Sequence, residues 1–189
     1  MKKILKGYIR DFYWTLYGGR FNNPEVPKKT KKIIFICKGN ICRSAFAHHL
    51  IAQGAINNGN YKELEVDSAG LEAKKGNSSP STAIQVSIRY GVDLKKHRAQ
   101  PLSQAMADTT DMLIAMEPTQ VRSIQRRYPK CRGHIFLLTE FERDWNLLYK
   151  GWNKYHVKDP YGSDAEQFAA CFERIQGCVL GLLGHLKSK

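Results

Sequence analysis

Long apolar runs are missing from this sequence of 189 residues, and none approaches the ~18–20 residues that a membrane-spanning helix needs. Cysteine is scarce and odd in number. Five residues with no Cys-x-x-Cys pair exclude a disulfide framework and lack the usual zinc-ligand spacing. A cytoplasmic protein with reduced thiols is the expectation. No cleavable leader is expected, because Met1-Lys2-Lys3-Ile4-Leu5-Lys6 begins like one but Lys6 and Arg10 restore charge before an apolar core develops. Internal repeats are absent, and the only biased tract is a short lysine-rich one. Acidic residues are outnumbered, 17 against 30 Lys and Arg, for a formal net charge of +13.

The remaining composition is that of a globular chain, 42% hydrophobic and 25% charged, long enough for one domain with some length to spare. The charge is uneven. Residues 1–32 hold nine basic side chains against Asp11 and Glu25. Such a field draws nucleic acid, acidic lipid or phosphorylated protein without choosing among them.

The chain divides near residue 30. Phe21 to Lys32 holds two prolines, two asparagines and four lysines and reads as a linker. Upstream, Ile4, Tyr8, Ile9, Phe12, Tyr13, Leu16 and Tyr17 recur at helical spacing until Gly18-Gly19. Residues 1–30 are therefore expected to be a basic amphipathic extension and residues 31–189 the main domain. The aromatic face favours packing on that domain or on a second copy, an oligomer, over contact with a membrane surface.

Downstream, apolar runs alternate with amphipathic stretches. Strands are expected at Lys32–Cys37, Glu63–Ser68, Asp111–Met116 and His134–Leu138. Helices are expected at Arg43–Asn57, Ser81–Tyr90, Leu102–Ala107, Thr119–Tyr128 and Asp164–Leu186. The alternation, with the unbroken Ile33-Ile34-Phe35-Ile36, predicts an α/β fold with a parallel sheet covered on both faces. Ligands of such sheets sit beyond the carboxyl ends of the strands, and the first strand ends at Cys37.

From there the chain reads Cys37-Lys38-Gly39-Asn40-Ile41-Cys42-Arg43-Ser44 and continues as a helix. Backbone N–H groups of a strand-to-helix loop converge with the helix N-terminus on one spot suited to an anion. Gly39 and Asn40 tolerate the positive φ angles of such a cradle. Arg43 can hold two phosphate oxygens in its planar fork. The same positive surroundings lower the thiol pKa of Cys37, and Ser44 can donate a hydrogen bond to it. A thiolate in a phosphate cradle is a nucleophile aimed at phosphorus, and the leaving oxygen then needs a proton. Asp159, in the turn Asp159-Pro160-Tyr161-Gly162, is the best donor in the sequence.

The eight-residue loop and the late Asp-Pro-Tyr resemble the low-molecular-weight protein tyrosine phosphatases over about residues 32–187. Further landmarks are Asp67-Ser68-Ala69-Gly70-Leu71, Gly91-Val92-Asp93-Leu94 with His97-Arg98-Ala99, and Asp111 to Glu117. The resemblance implies three layers around a four-stranded parallel sheet in the order 2-1-3-4, with no cofactor and no metal. It implies Cys37 as nucleophile, Arg43 as phosphate clamp, and Asp159 as general acid and then base. Asn40 would hold the loop by a tie to His97, and Ser44 would lower the thiol pKa. Cys42 would be the second loop cysteine, able to bond the nucleophile under oxidation. Ser68-Ala69-Gly70-Leu71 and Thr82-Ala83-Ile84 are most similar to the bacterial branch linked to capsule and exopolysaccharide synthesis. The implied partner is a phosphotyrosine protein, such as a bacterial tyrosine kinase, and no nucleic acid is expected.

Some positions depart from the family. Lys38 stands where an apolar or small residue is usual, Ala45 where proline is common, and Lys74-Lys75 where the eukaryotic branch has an aromatic wall. Tyr161 is expected to wall the slot on one side, with Lys74-Lys75 facing it. His48-His49 has no partner at ligand spacing and reads as helix surface or packing. Two other functions fit the loop less well. An arsenate reductase of this fold would need further cysteines, and residues 70–110 contain none. A non-catalytic anion-binding module would not need the complete set of reactive loop residues.

Overall fold

The computed structural model describes residues 23–54, 61, 63–142 and 151–187. The helix expected over Ile4–Tyr17 lies outside the described residues. Four strands, β1 (Lys32–Cys37), β2 (Glu65–Gly70), β3 (Met112–Ala115) and β4 (Ile135–Leu137), form one parallel sheet in the order β2-β1-β3-β4. The expected α/β architecture and order 2-1-3-4 are therefore present.

Alternation along β1 builds the core on both faces. Ile33 and Phe35 point into a cluster with α1 (Arg43–Ala52), α2 (Ser81–Ser87) and α5 (Ala165–Lys187). Ile34 and Ile36 point into a second cluster with α3 (Gln104–Asp108) and α4 (Pro118–Arg127). All four side chains are fully buried, each contributing about 1.5–3 kcal/mol. Across the first face Phe46 of α1 stacks on Phe172 of α5, with centroids 4.0 Å apart. The sheet and both helix layers thus fix the height and direction at which β1 delivers Cys37.

Element limits differ from expectation where a local stop was misjudged. The α1 helix ends at Ala52 because Gly54 turns left-handed at φ +72°. The run Ser81–Tyr90 is α-helical to Ser87, then tightens into a 3₁₀ turn over Ile88–Tyr90 before left-handed Gly91. The β2 strand runs two residues later than expected and ends at Gly70. A Cβ there would lie 2.7 Å from the Lys38 carbonyl oxygen and 3.0 Å from the Asn40 nitrogen, so only glycine lets β2 abut the loop after β1. Asp164 precedes α5 as its cap and accepts from the Gln167 N–H at 2.9 Å.

The stretch expected to be a linker is pinned where it is described. Both amide atoms of Asn23 bond the backbone of Leu137 on β4, at 2.6 and 3.1 Å. Val26 is buried in the larger core cluster. The packed unit therefore begins at least at Asn23.

A 3₁₀ turn over Leu138–Phe141 follows β4 and meets α5 at Gly181, where any Cβ would fall onto the Phe141 carbonyl oxygen. Within it, burial pushes the Glu140 carboxyl up to about 7, only partly offset by Lys154, and its Oε1 lacks a hydrogen-bond partner. An acid whose folded pKa is raised holds more protons folded than unfolded between ~4.5 and ~7, so stability falls as pH rises through that window. Glu140→Gln is expected to raise the urea midpoint near pH 8 and leave it unchanged near pH 4. An equal change at both pH values would refute the titration.

Candidate active site

The loop after β1 is built around Asn40, a fully buried residue held at φ +54°. Its amide donates to Ser44 Oγ and Ser68 Oγ, both at 2.9 Å, and its Oδ1 accepts from the Gln100 N–H at 2.9 Å. Its carbonyl oxygen accepts from His97 Nε2 at 2.7 Å, the expected tie. Every polar group of its side chain is engaged, which sustains a backbone conformation that costs a non-glycine residue energy. The Asn40 N–H in turn points at Cys37 Sγ, 3.2 Å away.

Ser44 Oγ lies 3.0 Å from the same sulfur. Because Ser44 accepts from Asn40, its own proton is free to go to Cys37, and two donors converge on the sulfur. Hydrogen bonds to the charged form favour it. The other loop thiol differs. Burial, followed by the negative potential of Cys37 and Asp159, pushes Cys42 far above the ordinary thiol range. Cys42 remains a thiol, and the two converging donors belong to Cys37 alone.

The helix adds its own field. The α1 helix begins at Arg43 despite Ala45, its N-terminus has no side-chain cap, and its first turn holds no acidic residue. Its N-terminal N–H groups are left to a ligand, and the macrodipole favours an anion there. Arg43 is only 2% exposed. Its Nη1 donates to the Val157 carbonyl at 3.1 Å and its Nη2 to Asp159 Oδ2 at 2.6 Å, while buried Nε has no partner. A buried guanidinium with an unfilled donor is poised for another anion.

Asp159 reaches Arg43 because its segment docks on β3. The Val157 N–H donates to the Met116 carbonyl at 2.9 Å, just beyond the strand. The second carboxylate oxygen accepts from the Tyr161 N–H at 3.3 Å. Asp159, half-exposed, thus rests on the Arg43 guanidinium, where any other anion at this donor would compete with it.

These groups share one cavity of about 230 Å³, with Cys37 and Arg43 in its lining. Ile41 and the exposed Tyr161 supply apolar and aromatic wall, as expected for Tyr161. Lys38 lines it too, 3.6 Å from Glu72, which also faces the cavity. Lys74 and Lys75 are exposed but do not line it, so the expected facing wall is corrected to Glu72. Ser68, Gln100 and Val157 complete the site. Ser68 lies within the Asp67–Leu71 landmark, whereas no sequence signal marked the other two.

His48-His49 is also not simply helix surface. The chain brings His97 to 3.2 Å from His49, and the three imidazoles form one cluster. Burial lowers the pKa of all three, that of His48 to about 4.

Comparison with known proteins agrees with this geometry. The profile of the low molecular weight phosphotyrosine protein phosphatase family matches residues 32–189. The probable low molecular weight protein-tyrosine-phosphatase EpsP of Ralstonia nicotianae is 32% identical over 146 residues, covering 77% of this chain and 89% of its own. The crystal structure of the Erwinia amylovora tyrosine phosphatase AmsI aligns with a TM-score of 0.70 at 27% identity, over 82% of this chain and 93% of that one. The YwlE arginine phosphatase of Geobacillus stearothermophilus aligns with a TM-score of 0.70 at 25% identity, over 84% and 94%.

Proposed function

Since this chain belongs to the low molecular weight phosphotyrosine protein phosphatases, enzymes that hydrolyse phosphotyrosine in proteins, we propose that Cys37 is its nucleophile, Arg43 its phosphate clamp and Asp159 its proton donor. The observation that carries this assignment is the buried Cys37 sulfur with Ser44 and Asn40 aimed at it, in the same cavity as Arg43 and Asp159.

The phosphate monoester enters as its monoanion with its oxygens on Arg43 and the N-terminal amides of α1, displaces the Asp159 carboxylate from the guanidinium and passes its proton to it. The Cys37 thiolate attacks phosphorus while the bond to the tyrosine oxygen breaks, and protonated Asp159 gives that oxygen its proton. Phosphocysteine and free tyrosine result. Asp159, now a carboxylate, takes a proton from a water that attacks phosphorus. The P–S bond breaks, the thiolate is restored, and inorganic phosphate leaves with the proton from Asp159 as the carboxylate returns to Arg43. Preorganised donors stabilise charge on the transferring group, so no metal is required.

The substrate we assign is a phosphotyrosine-rich segment of a bacterial tyrosine kinase in the cytoplasm. Ile41 and Tyr161 favour a flat ring, and the net charge of +13 favours a multiply phosphorylated chain. The similarity to EpsP and AmsI supports a bacterial protein substrate. Residues 31–189 form the phosphatase domain in this reading, and residues 1–30 an extension packed on it, as Asn23 and Val26 already are. No helix among the described residues is long and apolar enough to cross a membrane.

Peptides carrying phosphotyrosine, phosphoserine or phosphoarginine test the specificity. Phosphotyrosine is expected to lead in kcat/KM by about 10²-fold, because the shorter serine ester cannot bring phosphorus to the sulfur and the arginine side chain offers no ring to the apolar wall. Equal or better turnover of either competitor would overturn the substrate assignment.

A further inference from the structure

His48 and His49 lie on α1 with their rings stacked, centroids 4.4 Å apart. His97 approaches from the loop after the 3₁₀ turn, and one ligand nitrogen from each of the three lies within 4.8 Å of the others. Tetrahedral zinc, with Zn–N bonds of about 2.0–2.1 Å, needs its nitrogens about 3.3 Å apart. His49 Nε2 and His97 Nδ1 already stand at 3.2 Å. His48 supplies the third nitrogen within the same 4.8 Å, and χ2, a soft torsion, is the angle through which it would close on a metal. None of them lines the catalytic cavity.

We propose that His48, His49 and His97 form a site for a divalent transition metal of the zinc class, joined to the phosphate loop through His97. Imidazole triads select zinc, copper and nickel over the hard cations. The protons can be followed atom by atom. His97 Nε2–H is committed to the Asn40 carbonyl, so Nδ1 carries the lone pair. That lone pair accepts the Nε2 proton of His49, whose Nδ1 faces the Gln53 amide at 3.2 Å. The metal replaces this shared proton, which moves to His49 Nδ1 as the Gln53 amide, itself a donor, swings aside and leaves the ring in place. No net proton is released. A fourth position is open to water or to Asp67, whose Oδ1 is 4.0 Å from His48 Nδ1. Metal on Nδ1 makes the His97 Nε2–H a stronger donor to Asn40, the residue that shapes the loop. Metal and phosphate binding are then coupled, and the coupling is reciprocal.

The test uses full-length Cys37→Ser protein, which removes the competing thiolate. Co²⁺ is titrated by its visible absorption, followed by displacement with Zn²⁺. One saturable site with the spectrum of tetrahedral nitrogen ligation is expected. His48→Ala and His49→Ala, added singly, should each weaken it at least about tenfold. Metal-free melting curves check that these variants fold. In the unsubstituted protein, Zn²⁺ should shift the imidazole NMR resonances of His48, His49 and His97 together, a readout that needs no histidine variant. Orthovanadate affinity of that protein should change on Zn²⁺ addition and stay constant in His49→Ala. Undiminished metal binding in the histidine variants, or no saturation by about 1 mM metal, would overturn the site.

Discussion

Cys37→Ser should abolish turnover of phosphotyrosine and leave phosphate-analogue binding intact. Serine and cysteine differ little in volume, and the surroundings of position 37 depend on backbone and on side chains that stay in place. Asn40 keeps its bonds to Ser44, Ser68, Gln100 and His97, so the cradle survives. The Arg43 guanidinium and the uncapped start of α1 also remain, and they supply most of the attraction for an anion. The nucleophile is what disappears. A hydroxyl at this site is not ionised near neutral pH, and two hydrogen-bond donors cannot make up the difference between an alcohol and a thiol. Initial rates should fall to background, while vanadate or sulfate still raises the melting temperature by mass action. Phosphocysteine trapped by rapid acid quench should appear in the parent protein and vanish in the variant. Turnover near the parent rate would remove Cys37 from the mechanism, whatever the binding result.

What the sequence could reveal depended on how local the cause was. The loop Cys37–Ser44 and the strand before it are contiguous, so their residue types and order already specified a buried strand ending in an anion cradle. The sheet order followed from the family resemblance, and the structure carries it. The limits of β2 were harder. Glu63 and Leu64 look like strand, but the pairing of Lys32 with Glu65 sets the register, and Gly70 is the residue thin enough to pass beside Lys38 and Asn40. That shift of two residues explains the misplaced wall. With the strand ending at Gly70, Glu72 meets the cavity beside Lys38, and Lys74-Lys75 has already moved past it. The supports of Asn40 were legible only in part, because Ser68, His97 and Gln100 arrive from 28, 57 and 60 positions away. The histidine cluster was hidden for the same reason. Its third member comes from 48 residues downstream, and spacing within α1 holds no record of it.

Asp159→Asn should separate the chemical step from phosphate binding. The carboxyl group is assigned to protonate the departing tyrosine oxygen, whose conjugate acid has a pKa near 10 and leaves poorly as an anion. Asparagine has no proton to give at comparable cost. Turnover of phosphotyrosine should therefore fall by about 10²–10⁴-fold, the usual contribution of general acid catalysis. An aryl phosphate with a strongly acidic phenol departs without help and should lose far less in its first step. Binding should move the other way. In the resting site the Asp159 carboxylate occupies the Arg43 Nη2 at 2.6 Å, competing with phosphate for the same donor. A neutral amide competes less, so vanadate should bind at least as tightly as to the parent. The expected signature is a fall in kcat that depends on the leaving group, together with an unchanged or lower KM. An equal loss on both substrates would show that Asp159 does not donate the proton. Asp164 is no substitute, since it caps α5. The role would then pass to Glu72, the other carboxylate lining the cavity.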